Sequence, residues 1–559
     1  MHGLMLIPQQ GAEPADEWIR LAIEAQTAGR FDVAERHYNQ ALRLDPRNVV
    51  ATNNYAILHV QKGNLNEGLL AIDRAIIFDE KYGALHMNRG LMCMLADRID
   101  EALLSARRAC EIKSNKETRF ALAMVLGTAG HPTETLPLYN AILDEMPEHP
   151  AAGPNACFAQ TLTFATPADL LRQRRRYYDG LKVNGHKRPH RIDTAWPRPL
   201  RVGYVGGDFK HHSASMIFAN VLLHHDKTKV LPFFYSSLPV DENIDQLTKK
   251  FKAAAEDRWR DIVGKTDDEA EEMVRADRID ILVDLAAHTN GGRLPLFTRK
   301  PAPIQVTAWG FAHGTGLPEM DWFLADPVSI PESERGDFAE KIYDLPSVLT
   351  YWEPPYELPE SGDIPYRGNG FITFGSCSRY EKLSAECLKV YAEILRRIPD
   401  AVLRLKDSAY KRPYAIRRVT ELMTDIDPKR LHFLIGTDHP EHMKSYRAAD
   451  IALDPFPHGG GIVALEQLYM GLPIITLYGT QPSGRNTSSV LTAMGRTDWI
   501  AKTPEEYVEK AVTLANDLKT LREARKTLRE ELLKSPVCAG YAERVEAAYQ
   551  EIWERDVLK

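Results

Sequence analysis

Between residues 15 and 150 the chain repeats itself with a period of about 34 residues. Trp18, Leu21, Gly29, Ala34, Tyr38, Ala41 and Pro46 mark the first unit. Tyr55, Ala56, Gly63, Ile72 and Ala75 mark the second, and Gly90, Ala102 and Ala109 the third. A fourth, slightly shorter unit carries Ala123, Gly130, Tyr139 and Pro147. Each unit reads as two antiparallel helices. Small residues let the helices cross closely, aromatic residues fill the gaps, and Gly or Pro stops each helix. One such pair cannot bury its own apolar face, so the units must stack into a superhelix.

This is the tetratricopeptide pattern, an array that usually presents a concave surface to a peptide or protein. Asn53, Asn54 and Asn88 fall on first helices of their units. A side-chain amide there offers the donor and acceptor that a peptide backbone needs, which makes these three candidate acceptor-binding residues. A structural spacer or a dimerisation arm is the alternative use of such an array, and a homodimer stays open.

At 559 residues the chain exceeds one hydrophobic core, so further domains must follow the repeats. A net charge of −7 argues against a general nucleic-acid binder. The basic run Arg172–Arg176 reads as a solvated helix face. Cys93, Cys110, Cys157, Cys377, Cys387 and Cys538 form no CxxC pair and no metal-ligand spacing. Reduced thiols and a cytoplasmic location follow as expectations. Residues 1–10 lack the basic and apolar regions of a signal peptide, and no apolar run is long enough to span a membrane.

Residues 151–196 read as a joint, with a helix over Asp169–Leu181 capped by Thr166 and a linker at Asn184–Pro189. Residues 197–365 alternate strands with helices, which implies a parallel, doubly wound sheet. Strands are expected at Leu200–Phe209, Leu231–Ser236, Ile279–Leu285, Ile304–Trp309 and Trp322–Ala325. Ligands bind such sheets at the carboxyl ends of strands. That places His211 and His212, then His288, then Gly310 and His313 on three loops of one edge, the histidines as candidate hydrogen-bonding or proton-transfer groups and His211 also as a candidate acceptor contact.

Residues 366–535 form a second α/β domain, followed by a helical segment over 536–559. Its centre is Asp454–Thr476: strand, glycine loop, helix, glycine stop, strand. Gly459, Gly460 and Gly461 allow a sharp turn and close backbone approach, and the helix starting at Ile462 directs its free N–H groups at a ligand. Glu466 lies about one turn in, where a carboxylate can accept from ribose hydroxyls. Arg379 and Lys382, after an earlier strand, can balance a diphosphate. The same spacing also suits an ordinary βα turn and surface ion pairs with Glu381 or Glu386.

Two α/β domains behind a repeat array resemble the O-GlcNAc transferase family of protein glycosyltransferases. The resemblance is carried by Leu200-Arg-Val-Gly-Tyr-Val with Asp208-Phe and His212-Ser, by Arg299-Lys-Pro-Ala-Pro-Ile-Gln-Val with Trp309-Gly, and by Met320-Asp with Asp326. It continues in Lys382-Leu, His442, Ala449-Asp-Ile-Ala-Leu-Asp and Gly471-Leu-Pro-Ile-Ile-Thr with Ser483-Gly-Arg485. It implies two Rossmann-like domains in a GT-B arrangement and metal-independent, inverting transfer of a sugar to Ser or Thr of a protein acceptor. GlcNAc from UDP-GlcNAc is the first expectation, with the nucleotide sugar as co-substrate and no separate cofactor or metal. By the same resemblance His212 matches a proposed base, Lys382 neutralises the leaving diphosphate, and His442 lines the nucleoside site. Gly310 belongs to the loop over the sugar, Glu466 binds ribose, and the final helix crosses back to the first domain.

The chain also departs from the family. Gly461, Ile462 and Val463 stand where the family has a histidine followed by two threonines, so two hydroxyl donors are lost. Arg379 replaces a common glutamine, His439 stands where animal enzymes have lysine, and the sugar loop reads Gly310-Phe-Ala-His. Another donor therefore stays open, such as a nonulosonic acid in the manner of flagellin glycosyltransferases or the fucose of plant-type relatives. A non-catalytic scaffold and a small-saccharide acceptor are the remaining alternatives.

Overall fold

The computed structural model describes residues 3–9, 13–181, 188–241, 245–354 and 356–559. Of the expected linker, Asn184, Gly185, His186 and Lys187 lie outside the described residues. The chain divides into two compact units, Met1–Ala152 with Arg412–Arg418, and Gly153–Lys411 with Val419–Lys559.

The first unit contains the helices α1 (Pro14–Thr27), α2 (Phe31–Leu44), α3 (Val49–Gln61), α4 (Leu65–Phe78), α5 (Gly83–Leu95), α6 (Ile99–Ile112), α7 (Lys116–Thr128) and α8 (Pro132–Glu145). They pair as the repeat requires. Gly29, Gly63 and Gly130 turn one helix into the next at φ of 72°, 87° and 81°, and Asp97 takes the same left-handed place at 59°. Ile19, Ala22, Tyr38, Ala41, Ala51 and Leu58 share a buried cluster at the first crossings. Gly90 shows why small residues recur: a Cβ there would lie 3.1 Å from the Ala106 nitrogen and 3.2 Å from the Ala102 oxygen.

In the second unit, α9 (Ala152–Thr161) and α10 (Pro167–Gly180) precede the sheets. Thr166 caps α10 through a reciprocal capping box with Asp169, two residues earlier than the expected helix start. The basic run on α10 is not uniformly solvated. Arg172 and Arg175 are exposed, but Arg174 is buried, with its guanidinium 5.7 Å from the Phe338 ring centre. Burial pulls the Arg174 pKa down to about 10.

The first sheet holds β1 (Leu200–Gly206), β2 (Val230–Ser236), β3 (Trp259–Asp261), β4 (Ile281–Asp284), β5 (Ile304–Thr307), β6 (Trp322–Ala325) and β7 (Lys341–Asp344). Its order is β3-β2-β1-β4-β5-β6-β7, and its pairs are parallel. The second holds β8 (Thr373–Ser376), β9 (Val402–Lys406), β10 (Leu431–Leu434), β11 (Ile451–Leu453), β12 (Ile474–Leu477) and β13 (Ile500–Ala501). It is also parallel, in the order β10-β9-β8-β11-β12-β13. The edge strands β3, β7 and β13 had no counterpart in the sequence reading. They are short, and β3 and β7 lie partly in solvent, so they lack the apolar run that marks a central strand.

In each sheet the strand order reverses beside the first strand, between β1 and β4 and between β8 and β11. The crevice outside the carboxyl ends at such a reversal is where doubly wound sheets bind ligands. The helix Tyr541–Trp553 returns to the first sheet's side. There Glu546 accepts from the Asp226 N–H at 2.7 Å and Tyr541 donates to the Ser347 carbonyl at 2.8 Å.

Gly90→Val is expected to destabilise the repeat array by about 1–3 kcal/mol through overpacking. Amide exchange measures this as earlier loss of protection in α5 and α6. Unchanged protection would show slack at that crossing.

Candidate active site

The loop after β11 is built around one buried carboxylate. Asp454 accepts from the Gly460 N–H at 2.7 Å and from the Thr476 hydroxyl at 2.8 Å. A Cβ on Gly459 would sit 3.0 Å from one Asp454 oxygen, and a Cβ on Gly460 2.8 Å from the other. These two glycines therefore make room for the protein's own carboxylate. Gly461 has open space at its Cβ position and precedes the helix Ile462–Tyr469, whose first turn supplies free N–H groups.

Lys382 enters from the loop after β8. Its ammonium donates to the Gly459 carbonyl at 2.7 Å. Part of the residue reaches solvent, but protein encloses the charged end. Burial, reinforced by the Arg379 charge, lowers its pKa to about 7. Burial raises the Asp454 pKa against the pull of Thr476, Thr487, Gly460 and Lys382. Arg379 is exposed, with its guanidinium 5.2 Å from the Phe158 ring centre. His458, on the same loop, contacts the Thr161 hydroxyl at 3.1 Å through Nδ1, and burial keeps its ring neutral.

Glu466 is also buried. One oxygen lies 2.8 Å from His439 Nε2, and the other accepts from the Tyr446 hydroxyl at 2.8 Å. His442 Nε2 lies 2.8 Å from the same hydroxyl and 3.6 Å from Glu466. Burial raises the Glu466 pKa, but His439 and His442 outweigh it and hold the carboxyl at about 2. Glu466 is thus a carboxylate throughout the neutral range.

The loop after β1 reaches this group from the first sheet. The His211 ring centre is 5.5 Å from that of His439. His211, read as an acceptor contact, therefore stands beside the candidate ribose carboxylate. His212 is exposed, with Nδ1 3.3 Å from Asp208 Oδ2. Two other histidines on this edge are interior. His288 bonds the Thr315 carbonyl at 2.8 Å, and burial lowers its pKa to about 3. His313 is buried, and neither ring nitrogen has a hydrogen-bond partner among the described residues. Both stay neutral, which removes them as readily charged proton carriers. A Cβ at Gly310 would fall 1.8 Å from the Leu285 oxygen, so backbone crowding alone demands glycine there.

Asn53, Asn54 and Asn88 lie in the first unit and are fully buried. Asn54 and Asn88 hydrogen-bond the backbone of Ile7 and Met5 of this same chain, while Asn53 bridges their side chains.

The sequence reading missed Asp454 and His458 as working groups, although both stand in the stretch it singled out. A carboxylate directly after a buried strand and five residues before paired glycines was the available signal. It also missed Ser483, whose carbonyl accepts from the Gly459 N–H at 3.0 Å and whose buried hydroxyl has no partner among the described residues. Between the sheets, Arg485 grips Glu334 with two bonds of 2.6 and 2.7 Å, and Ser489 donates to Asp326 at 2.8 Å.

A tetratricopeptide array followed by two parallel α/β sheets, with a cationic glycine cradle at a strand-order reversal, is a GT-B-like architecture. Residues 182–351 and 365–543 match Glycosyl transferase family 41, and residues 19–84 match a tetratricopeptide repeat. The chain belongs to glycosyl transferase family 41. It is 34% identical over 370 residues to the probable UDP-N-acetylglucosamine–peptide N-acetylglucosaminyltransferase SPINDLY of Solanum lycopersicum, covering 64% of this chain and 39% of that protein. The corresponding SPINDLY protein of Hordeum vulgare is 35% identical over 370 residues, with 64% and 38% covered. The chain thus spans about two-fifths of the length of these curated relatives. Among solved structures, a mutant of the Thermobaculum terrenum O-GlcNAc transferase superposes with a TM-score of 0.69 at 27% identity. That match covers 98% of this chain and 99% of the other.

Asp454→Ala leaves the Gly460 N–H and the Thr476 hydroxyl unpaired, at about 1–3 kcal/mol each. Thermal unfolding should fall well below that of Asp454→Asn, which keeps one acceptor oxygen. Equal stability of the two variants would show that the carboxylate does not hold the loop.

Proposed function

We propose that the chain is a protein O-glycosyltransferase that moves a sugar from a nucleotide sugar to Ser or Thr of a protein acceptor. UDP-GlcNAc is the donor favoured by the names of its relatives, and the repeat array is the acceptor-holding part. The observation that carries this reading is the Lys382 ammonium on the Gly459 carbonyl, at the mouth of the glycine loop and beside Asp454.

In this reading the acceptor hydroxyl oxygen attacks the anomeric carbon while the bond from that carbon to the diphosphate oxygen breaks, with inversion. Negative charge grows on the leaving diphosphate. Lys382, Arg379 and the N–H groups at the start of the helix Ile462–Tyr469 meet that charge, and stabilisation aimed at developing charge is worth most in an enclosed site. The Ser483 hydroxyl, buried on the loop that holds Gly459 and without a partner among the described residues, is the candidate replacement for the hydroxyls missing at Ile462 and Val463. His212 is the candidate base; its Nδ1 accepts from the Ala214 N–H at 3.3 Å and lies 3.3 Å from Asp208 Oδ2. Glu466, held ionised, takes the ribose hydroxyls by exchanging its bond to His439 or Tyr446. The absent threonines at Ile462 and Val463 favour the second reading, a repeat scaffold with a degenerate site.

Lys382→Met should lower turnover about 10²-fold or more, with folding intact. A thermal-shift and calorimetry panel of UDP, GDP and CMP with their sugar conjugates assigns the donor; binding of none would favour the scaffold. Binding should also take up a proton. A diphosphate favours the ammonium form of Lys382, whose ligand-free pKa is about 7. Affinity is therefore full below that pH and falls by up to about tenfold per pH unit above it. Calorimetry in buffers of different ionisation heat measures the uptake, and a pH-independent affinity would exclude Lys382 as the diphosphate's counter-ion.

A further inference from the structure

We infer that residues 3–9 are a built-in peptide that occupies the backbone-reading groove of the repeat array and must leave before another peptide can use it. Asn54 on α3 and Asn88 on α5 stand one repeat apart. The Ile7 N–H donates to Asn54 Oδ1 and the Asn54 amide returns a bond to the Ile7 carbonyl, both at 2.8 Å. The Met5 N–H donates to Asn88 Oδ1 and the Asn88 amide donates to the Met5 carbonyl, both at 2.9 Å. Asn53 links the pair, donating to Asn54 Oδ1 and accepting from Asn88 Nδ2, each at 2.9 Å. The array therefore reads every second residue of a peptide, one residue per repeat, through backbone groups alone.

The amides of Asn53, Asn54 and Asn88 are fully buried. A buried amide without partners is costly, so the emptied ladder must be satisfied by water or by another backbone. Side chains contribute little selectivity. Ile7 is 4% exposed and enters the core shared by α3 to α7, but Met5 is 38% exposed and Leu4 and Leu6 are only partly covered. The groove thus suits a peptide with one buried aliphatic side chain and smaller demands at its neighbours. The backbone of the segment is held where any peptide backbone would be held; beyond the ladder Leu4 and Leu6 pack in part against the helices and Gln9 donates to Asp16. The consequence for sugar transfer rests on the reading of the array as the acceptor-holding part; the occupancy itself does not.

The probe is a labelled synthetic peptide of residues 3–9, Gly-Leu-Met-Leu-Ile-Pro-Gln, titrated onto the full chain. Met5→Pro with Ile7→Pro removes both donated N–H groups, and this variant should bind the probe at least tenfold more tightly than the unaltered chain. Adding Asn54→Ala and Asn88→Ala should abolish that binding. Equal probe affinity for the unaltered and proline chains, with the array folded by circular dichroism, would overturn the proposal. Amide exchange of the unaltered chain tests it without substitution. Excess unlabelled peptide should strip protection from the Met5 and Ile7 amides while α3 and α5 keep theirs. Protection of Met5 and Ile7 that matches the helices and ignores the peptide would make the segment a fixed part of the core. If the proline chain gains probe binding but its KM for a protein acceptor is unchanged, the plug stands and the acceptor-holding role of the array falls.

Discussion

The candidate site depends on burying the Asp454 carboxylate beneath a glycine loop. A buried carboxylate needs donors, and the chain supplies the Gly460 N–H and the Thr476 hydroxyl. It also needs space, and a Cβ on Gly460 or Gly459 would press on it at 2.8 or 3.0 Å. Fixing Gly460 fixes the Gly459 carbonyl, and that carbonyl fixes the Lys382 ammonium. The cation that meets a diphosphate in our reading is thus placed through a short relay that begins at a residue with no role toward the ligand.

Two carboxylates in one small region are pushed in opposite directions. Asp454 is shielded and surrounded mainly by neutral donors, so burial dominates and raises its pKa. Glu466 is as deeply buried, but two imidazoles face it and hold it ionised. The first suits a structural hinge beneath a loop, and the second an acceptor that is always charged. The same contrast separates the histidines. His288 and His313 are neutral packing groups around Phe311, whereas His211 and His439 meet from different sheets beside Glu466. Position on a strand-end loop does not distinguish them; what lies on top of each loop does.

The repeat array uses the same economy of small residues and amides. Glycine and alanine at the crossings bring helices close enough to exclude water, and the asparagines then face inward with their amides committed. Because the first unit satisfies those amides with its own residues 5 and 7, its inner surface is specified by backbone geometry rather than by a pattern of charges.

The 34-residue period fixed the helix pairs, since small residues at set intervals admit only close helix crossings. The alternation of apolar strands with amphipathic helices likewise determined two parallel sheets. The glycine loop marked Glu466 and the end of an earlier strand marked Lys382, because strand-end loops of a parallel sheet share one edge, while His442 was marked by the family resemblance alone. Edge strands were not legible, as β7 is largely solvated and carries no apolar run. Nor was the reason for Gly310, Gly459 and Gly460: sequence marks a residue without a side chain, but only the fold shows which atom fills the space. The fate of the asparagines was undecided for the same reason. In the sequence each amide suits either a bound backbone or solvent, and tertiary structure alone decides that it meets the chain's own backbone, because that depends on which segment reaches it.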